Sequence, residues 1–248
     1  MIWKKNTVAV VPLKRVSHPR YNLARQVIVN PHIIGIIVKE MKRQKTSIFS
    51  ASKKDLKEIA DVSKEIRKRG LPKRFVRKKL PLKLGSGIFL HPKADPILQG
   101  QVIAPYAGEV SILPQNLPDD SAYAFAAISD FHLTKKEQML LDDKLRYHPR
   151  RLYFVNIDAL KKGNFTRFIN HSEKPNVIAH LVRIPSNSHG VDPSPMEIVY
   201  YAKRTIFPGE QLLVCYEDGE KSYWGSLDVK PFPMTAKTFV LHKHIDKF

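Results

Sequence analysis

Cysteine is nearly absent from this sequence, because Cys215 is the only one among 248 residues. A single cysteine excludes an internal disulfide and any zinc cluster built on cysteine, and it is typical of a reducing compartment. The spacings of His and acidic residues that hold catalytic zinc, such as HExxH, are missing as well. The sequence therefore predicts no metal site.

Long apolar runs are also missing. The longest, residues 33–38, is far shorter than the roughly 18 residues of a membrane span and predicts a short buried strand. The N-terminus has no apolar stretch followed by a small-residue cleavage site, so no ordinary export signal is expected. With 43% apolar and 26% charged residues, the composition is typical of a globular protein without a membrane partner.

Negative charge is scarce in the first third of the chain. Residues 1–80 contain 22 Lys and Arg against 5 Asp and Glu, a net charge of +17, whereas residues 81–248 contain 20 against 18. Residues 67–79 alone hold eight Lys and Arg, which fits a solvated face and linker, a nucleic-acid footprint or a nuclear import signal. Only Phe75 is available there for stacking, so duplex DNA is favoured over single strands.

The N-terminal third is expected to be α+β. Residues 26–38 predict two strands, or a strand and an edge, around Asn30 and Pro31. Ser52 is a candidate N-cap for a helix that continues to Arg69 and ends at Gly70. Its predicted inner stripe consists of Leu56, Ile59, Ala60, Ser63 and Ile66.

From residue 75 onward, short apolar runs are separated by Gly, Pro and Asn, which predicts many short strands. Residues 111–150 are longer and more polar, with a helical pattern at 134–145. They are predicted to be an insertion between strands.

Three blocks carry most of the functional information. The first is Leu-Gly-Ser-Gly-Ile-Phe at 84–89, followed by Pro-Tyr-Ala-Gly-Glu at 105–109. The second is Asp-Ala at 158–159, Gly-Asn-Phe-Thr-Arg-Phe-Ile-Asn-His-Ser at 163–172, and Pro-Asn at 175–176. The third is Gly-Glu-Gln-Leu-Leu-Val-Cys-Tyr at 209–216. A Gly-x-Gly turn before a strand is common turn chemistry by itself, so the second block is the decisive one.

In this order and spacing, the blocks resemble the signature motifs of SET-domain protein lysine methyltransferases, over roughly residues 75–216. Bacterial members that lack a zinc-binding tail are the most similar, including their Tyr-Trp pair at 223–224. Glu173 stands where many members have a cysteine that accompanies such a tail. Val214 stands where the family often has Phe or Tyr, a position that influences how many methyl groups are added.

The resemblance implies a mainly β fold, the β-clip or SET fold, with small curved sheets and a pseudoknot. Residues 1–73 would form a basic flanking region and residues 74–218 the SET domain, with the insertion at 111–150. Residues 219–248 would close over the site. Their aromatic residues would cover the cofactor and lysine channel, form a small hydrophobic cluster that pins the C-terminus, or do both: Tyr223, Trp224, Phe232 and Phe239.

The resemblance also implies the site residues. Tyr216 matches the tyrosine at the reaction centre, and Tyr106 matches one that lines the same channel. The cofactor would be S-adenosylmethionine, and the residues expected near it are Gly85, Ser86, Gly87, Arg167, Phe168, Asn170, His171 and Trp224. Among these, Arg167, like Asn176, is expected to brace the crossing segments, and core packing is the default interpretation of Phe168.

Charge suggests the substrate. Residues 117–143 have a net charge of −4, and the corresponding insertion of the family forms one wall of the substrate groove. An acidic wall favours a basic protein, such as a histone or histone-like tail, or alternatively a ribosomal protein. DNA contact through the basic N-terminal region and automethylation of its lysines are further expectations.

Two questions stay open at this level. The alternative to an enzyme is a catalytically silent SET-fold protein that binds DNA or chromatin, although the retained Tyr216, Asn170 and His171 argue against it. The protein is expected to act either in a bacterial cytoplasm or, after secretion into a host cell, in the host nucleus.

Overall fold

The computed structural model describes residues 24, 26–28, 30–44, 49–81, 84–115, 123–141, 147–183, 196–216 and 232–241. Eleven strands and three α-helices lie in these residues. In chain order they are β1 Val27–Ile28, α1 Ile33–Arg43, α2 Lys53–Arg69, β2 Phe75–Lys79, β3 Ser86–Leu90, β4 Val102–Tyr106, β5 Glu109–Pro114, β6 Ala124–Phe131, α3 Lys135–Leu141, β7 Tyr153–Asp158, β8 Asn170–His171, β9 Val177–Arg183, β10 Met196–Ala202 and β11 Leu213–Val214. A 3-10 helix, Phe165–Phe168, precedes β8.

The strands form three small sheets, which confirms the predicted mainly β fold. One sheet has the order β1-β5-β7-β6, a second the order β4-β10-β9-β11-β8, and β2 pairs with β3 alone. All seven residues of β10 are buried, which shows that this strand lies at the centre of the packing. Its alternate side chains therefore face two different layers, one toward the candidate site and one toward α2.

The prediction of two strands at residues 26–38 is half wrong. Val27–Ile28 is a short strand parallel to β5, but residues 33–38 begin the helix α1. The buried residues of α1 recur at helical spacing, namely Ile33, Ile36, Ile37, Glu40 and Met41. A short apolar run rich in isoleucine does not distinguish a strand from a buried helix, and only the later Glu40 and Met41 complete the helical period.

Helix α2 has the predicted bounds. Ser52 and Asp55 form a reciprocal capping box at its start, and Gly70 ends it with a φ of 77°, a conformation that favours glycine. Ile59, Ser63 and Ile66 are buried, while the predicted Leu56 and Ala60 are only half-buried. The helix packs its inner stripe against β4 and the outward face of β10.

Residues 111–150 are more than a polar insertion, which corrects the prediction. They contribute β5 and β6 to a four-stranded sheet, and Ile128, Phe131 and Leu133 are buried in the main core. Strand β6 pairs irregularly with β7, and Asp130 adopts a φ of 60° beside one of these irregularities. Such bulges break the period-2 alternation by which a strand is recognised in a sequence.

Among the residues described, no helix is long and apolar enough to cross a bilayer.

Candidate active site

The second and third blocks meet through two short parallel strands. In the pairing of β8 with β11, Asn170 lies beside Leu213 and His171 beside Val214. Asn176 reinforces the junction, because its Nδ2 donates to the carbonyl of Gln211 at 2.8 Å and its Oδ1 accepts from the backbone N–H of Leu213 at 2.8 Å. The structure thus confirms Asn176 as a bracing residue.

Tyr216 follows β11 directly and is held at two points. Its hydroxyl donates to the carbonyl of Ile169 at 2.8 Å, and its backbone N–H donates to Nδ1 of His171 at 3.0 Å. The ring centroids of Tyr216 and His171 are 5.4 Å apart. Because the Tyr216 proton points to Ile169, the lone pairs of its oxygen remain available to accept a hydrogen bond from an amine.

Tyr106 lies at the end of β4, where it is buried next to two aromatic rings. Its hydroxyl donates to the carbonyl of Tyr123, and its ring centroid lies 5.8 Å from those of Phe125 and Tyr200. Burial, reinforced by the neighbouring Tyr200, Tyr216 and Asp158, raises the pKa of Tyr106 well above its ordinary value of 10.0. Burial next to Tyr216 likewise raises the pKa of Tyr200.

The raised pKa of Tyr106 gives a testable pH dependence. A phenol whose folded pKa exceeds its unfolded pKa contributes stability that is present below about pH 10 and is lost as pH rises toward the folded pKa. We expect the phenolate absorbance of the folded wild type and of Tyr106→Phe to titrate identically up to about pH 10. Above that pH, the wild type should lose unfolding free energy more steeply than the variant. An additional phenolate in the wild type near neutral pH would contradict this assignment.

The Gly85-Ser86-Gly87 turn is tied to the second block. Gly85 has a φ of 78°, and Nδ2 of Asn170 donates to the carbonyl of Ser86 at 3.0 Å. Strand β11 joins Asn170 and His171 to Tyr216, so the structure brings the principal predicted cofactor residues to one side of the reaction centre.

Gln211 is a site residue that the sequence interpretation missed. It is fully buried, and neither Oε1 nor Nε2 finds a hydrogen-bond partner among the described residues. A Cβ at position 87 would lie 2.5 Å from Nε2 of Gln211, so the amide packs directly against the Gly85–Gly87 turn. A buried amide of this kind suits a polar ligand group or an ordered water there, which fits the cofactor assignment. The sequence signal was the glutamine itself, a polar residue directly before the apolar run of residues 212–214.

The contact between Gly87 and Gln211 predicts the effect of a methyl group. Gly87→Ala should displace the turn or the buried Gln211 amide, and we expect the affinity for S-adenosylmethionine to fall about tenfold or more, measured by calorimetry. Gly35→Ala is the matched control, because a Cβ at Gly35 in α1 meets nothing within 4 Å. The control should bind normally and unfold at the same or higher temperature. Equal affinity of both variants would remove this turn from the cofactor site.

Arg167 is placed as a brace. It is buried, its Nη1 donates to the carbonyls of Ala159 at 2.6 Å and Leu160 at 3.1 Å, and its guanidinium lies 4.2 Å from the ring centroid of Tyr123. Phe168 is half-buried, with the guanidinium of Arg77 4.6 Å from its ring centroid. Whether either side chain also touches a cofactor stays a prediction. Trp224 and Tyr223 lie outside the described residues.

The described part of the C-terminal segment packs on the site's outer side. The rings of Phe232 and Phe239 stack at 6.3 Å, and both pack against a cluster that contains Leu80, Phe89 and Leu213. Backbone contacts fix the segment, since the hydroxyl of Ser172 donates to the carbonyl of Met234 and the N–H of Leu241 donates to Gly209. Phe232 and Phe239 are therefore packed together, and this segment is attached to the second and third blocks, whereas the other two predicted aromatic residues, Tyr223 and Trp224, lie outside the described residues.

A family comparison identifies the class of protein that this fold and site define. The SET domain model matches residues 93–217, which is 125 of the 248 residues. The chain therefore belongs to the SET-domain family. The match covers the second and third blocks and Tyr106, while the predicted bounds of 74–218 stay a prediction.

Individual relatives match part of the chain. A histone-lysine N-methyltransferase of Schizosaccharomyces pombe, specific for H3 lysine-4, is 43% identical over 68 residues, which are 27% of this chain and 6% of the relative. The H3 lysine-9 specific enzyme SUVH1 of Nicotiana tabacum is 36% identical over 123 residues, 49% of this chain and 16% of the relative. The chain thus spans a small part of these relatives. The crystal structure of ATXR5 in complex with mono-methylated histone H3.1 is 19% identical, with a TM-score of 0.47 over 71% of both chains.

Proposed function

We propose that this protein transfers a methyl group from S-adenosylmethionine to the side-chain amine of lysine in a basic protein. The observation that carries the proposal is the Tyr216 hydroxyl, which is fixed by Ile169 and lies beside the buried phenols of Tyr106 and Tyr200 in a SET-domain chain. When bound, S-adenosylmethionine supplies a sulfonium-activated methyl group that moves to nitrogen while the C–S electron pair stays on sulfur.

The residues of the chain would prepare the lysine amine. Burial among Tyr106, Tyr200 and Phe125 disfavours an ammonium ion, so a lysine in this environment loses its proton more readily than in water. The oxygen of Tyr216 accepts a hydrogen bond from the neutral amine and orients its lone pair. Because Tyr106 and Tyr200 stay neutral, these two phenols add no negative charge that would retain the proton.

The Gly85–Gly87 turn, Asn170, His171 and Gln211 are the residues that would hold the cofactor. Asn170 fixes the turn through Ser86, and His171 accepts the N–H of Tyr216, which places its remaining ring proton on Nε2 if the imidazole is neutral. These contacts fix the cofactor residues relative to Tyr216. Correct positioning of the methyl donor and the amine would then supply much of the acceleration of methyl transfer.

We infer that the substrate is a histone or a histone-like protein. The named relatives act on histone H3, and the acidic character of residues 117–143 favours a basic tail. Of the acidic residues there, Asp130 and Glu137 are described, and Glu137 already pairs with Lys39. That ion pair lowers the pKa of Glu137 and reduces the charge it offers to a substrate.

Three further expectations accompany this proposal. The lysine-rich N-terminal region is a candidate for automethylation and for DNA contact, and the protein would act in a bacterial cytoplasm or a host nucleus. A silent SET-fold protein is the alternative, and the intact Tyr216 contacts count against it.

The test is transfer of labelled methyl to a panel of histones, bacterial histone-like proteins, ribosomal proteins and the enzyme itself, with an acidic protein as control. We expect label on a basic protein. Absence of label on every member, together with no cofactor binding by calorimetry, would contradict the proposal and favour the silent alternative.

A further inference from the structure

The acidic and basic side chains of α2 differ in exposure: most of its carboxylates are bonded to the backbone, whereas its cations are exposed. Three of its four carboxylates are used in hydrogen bonds with the backbone: Asp55 accepts from Ser52, Glu58 from Val102 and Glu65 from Lys73. Only Asp61 is exposed. Glu58 also pairs with Lys54 at 3.8 Å, so the outward surface of the helix is positive mainly through its other exposed cations.

The exposed cations continue from α2 into β2. Between residues 53 and 79, the exposed charged residues comprise ten Lys and Arg and the single Asp61. We call these ten cations the α2–β2 basic face: Lys53, Lys54, Lys57, Lys64, Arg67, Lys68, Arg69, Lys73, Arg77 and Lys79. Arg74 does not belong to it, because its guanidinium is partly buried and donates to the carbonyls of Val102 and Ile103.

The remaining surface of this face indicates the kind of partner. No large apolar side chain between residues 53 and 79 is exposed, and Phe75 is buried. A protein partner would usually require an apolar interface core, and a single-stranded nucleic acid would require exposed aromatic rings. Both are missing on this stretch of the described chain, whereas phosphate contacts need only cations.

We propose that the α2–β2 basic face binds the phosphate backbone of duplex DNA. With 17 residues, α2 is about 25 Å long, which matches several successive phosphates along a duplex. Binding of this kind is independent of base sequence, because phosphate contacts carry no direct sequence information.

The same face leads directly to the candidate active site. Strand β2 pairs with β3 so that Lys79 lies beside Ser86 and Lys78 beside Gly87, in the turn assigned to the cofactor. A duplex that reached the β2 end of this face would therefore lie near the turn assigned to the cofactor and would bring the basic tails of DNA-bound proteins to the site. This last step rests on the proposed methyl transfer, but DNA binding itself does not.

The experiment measures binding of the full chain to a fluorescent duplex of mixed sequence over a range of salt concentrations. The test variant is Lys64→Gln with Lys68→Gln, two exposed residues of α2. Glutamine is a good helix former, so α2 should remain folded. The matched control is Lys135→Gln with Lys136→Gln, two exposed lysines of α3 outside the basic face.

We expect the wild type to bind the duplex, and the logarithm of its affinity to fall linearly with the logarithm of the salt concentration. The test variant should bind more weakly, and its slope should be shallower by about 1.8, which corresponds to roughly 0.9 for each lost phosphate contact. The control should leave slope and affinity unchanged. An unchanged slope in the test variant would overturn the assignment of the face.

Two competitors separate the other partner classes. If poly-glutamate displaced the duplex at equal charge concentration, the face would bind acidic polymers in general and the proposal would be overturned. Stronger binding of a single strand than of the duplex would overturn it as well. The methyl-transfer panel is measured separately on the same variants. Loss of DNA binding with methyl transfer to free histone tails intact would therefore leave the proposed function standing.

Discussion

Tyr216→Phe is expected to lower the turnover of methyl transfer by about 10²- to 10³-fold, the range seen when one positioned polar group is removed from a reaction centre. The variant loses the oxygen that accepts the amine and the hydroxyl that donates to Ile169. It keeps the ring and the backbone bond to His171, so the fold and the cofactor affinity should survive. Single-turnover kinetics with saturating cofactor measure the loss directly.

Tyr201→Phe is the matched control for this experiment. Tyr201 lies on β10 next to Tyr200 but faces α2, and its hydroxyl has no partner among the described residues. The burial that raises its pKa is therefore unrelated to the reaction centre, and its removal should leave the rate within about twofold. Equal losses in both variants would mean that aromatic packing, and not the Tyr216 hydroxyl, supports the reaction.

Asn176→Ala is expected to lower the free energy of unfolding by about 2–5 kcal/mol, because two buried backbone groups lose their partners. These groups are the N–H of Leu213 and the carbonyl of Gln211, which Asn176 joins to the second block. Since β11 carries the chain into Tyr216, the variant should also lose activity before it unfolds. Urea unfolding followed by circular dichroism measures the change.

Asn156→Ala controls for the cavity that the substitution creates. Asn156 is also buried, but its Oδ1 accepts no hydrogen bond within the described chain. Its removal should cost less than that of Asn176, since fewer polar groups lose a partner. If Asn156→Ala destabilised the protein as much as Asn176→Ala, the bracing role of Asn176 would be wrong.

The residues of the candidate site could be named from the sequence more completely than the strands and helices around them. The resemblance of the second and third blocks to the family's motifs singled out Asn170, His171, Asn176 and Tyr216, and the structure brings these four residues to one junction. Periodicity was sufficient for α2, whose cap, inner stripe and terminal Gly70 all agree with a helix.

What the sequence could not show depends on contacts between distant residues. Residues 33–38 become helical because their isoleucines meet the core at helical spacing, and β6 is hidden by its bulges. The partners of Tyr106 and Tyr216 are backbone carbonyls of Tyr123 and Ile169, which leave no mark on residue type. The bond from the N–H of Val102 to the carboxylate of Glu58, 44 residues away in the chain, is likewise a property of packing.

The central claim is that lysine is the methylated residue. The direct test is to digest the labelled basic protein completely to amino acids and to identify the labelled one by chromatography and mass spectrometry, with Tyr216→Phe run in parallel. The account predicts label in methylated lysine from the wild type and at least a hundredfold less from the variant at equal time. Label in arginine or histidine, or equal label from both proteins, would contradict it.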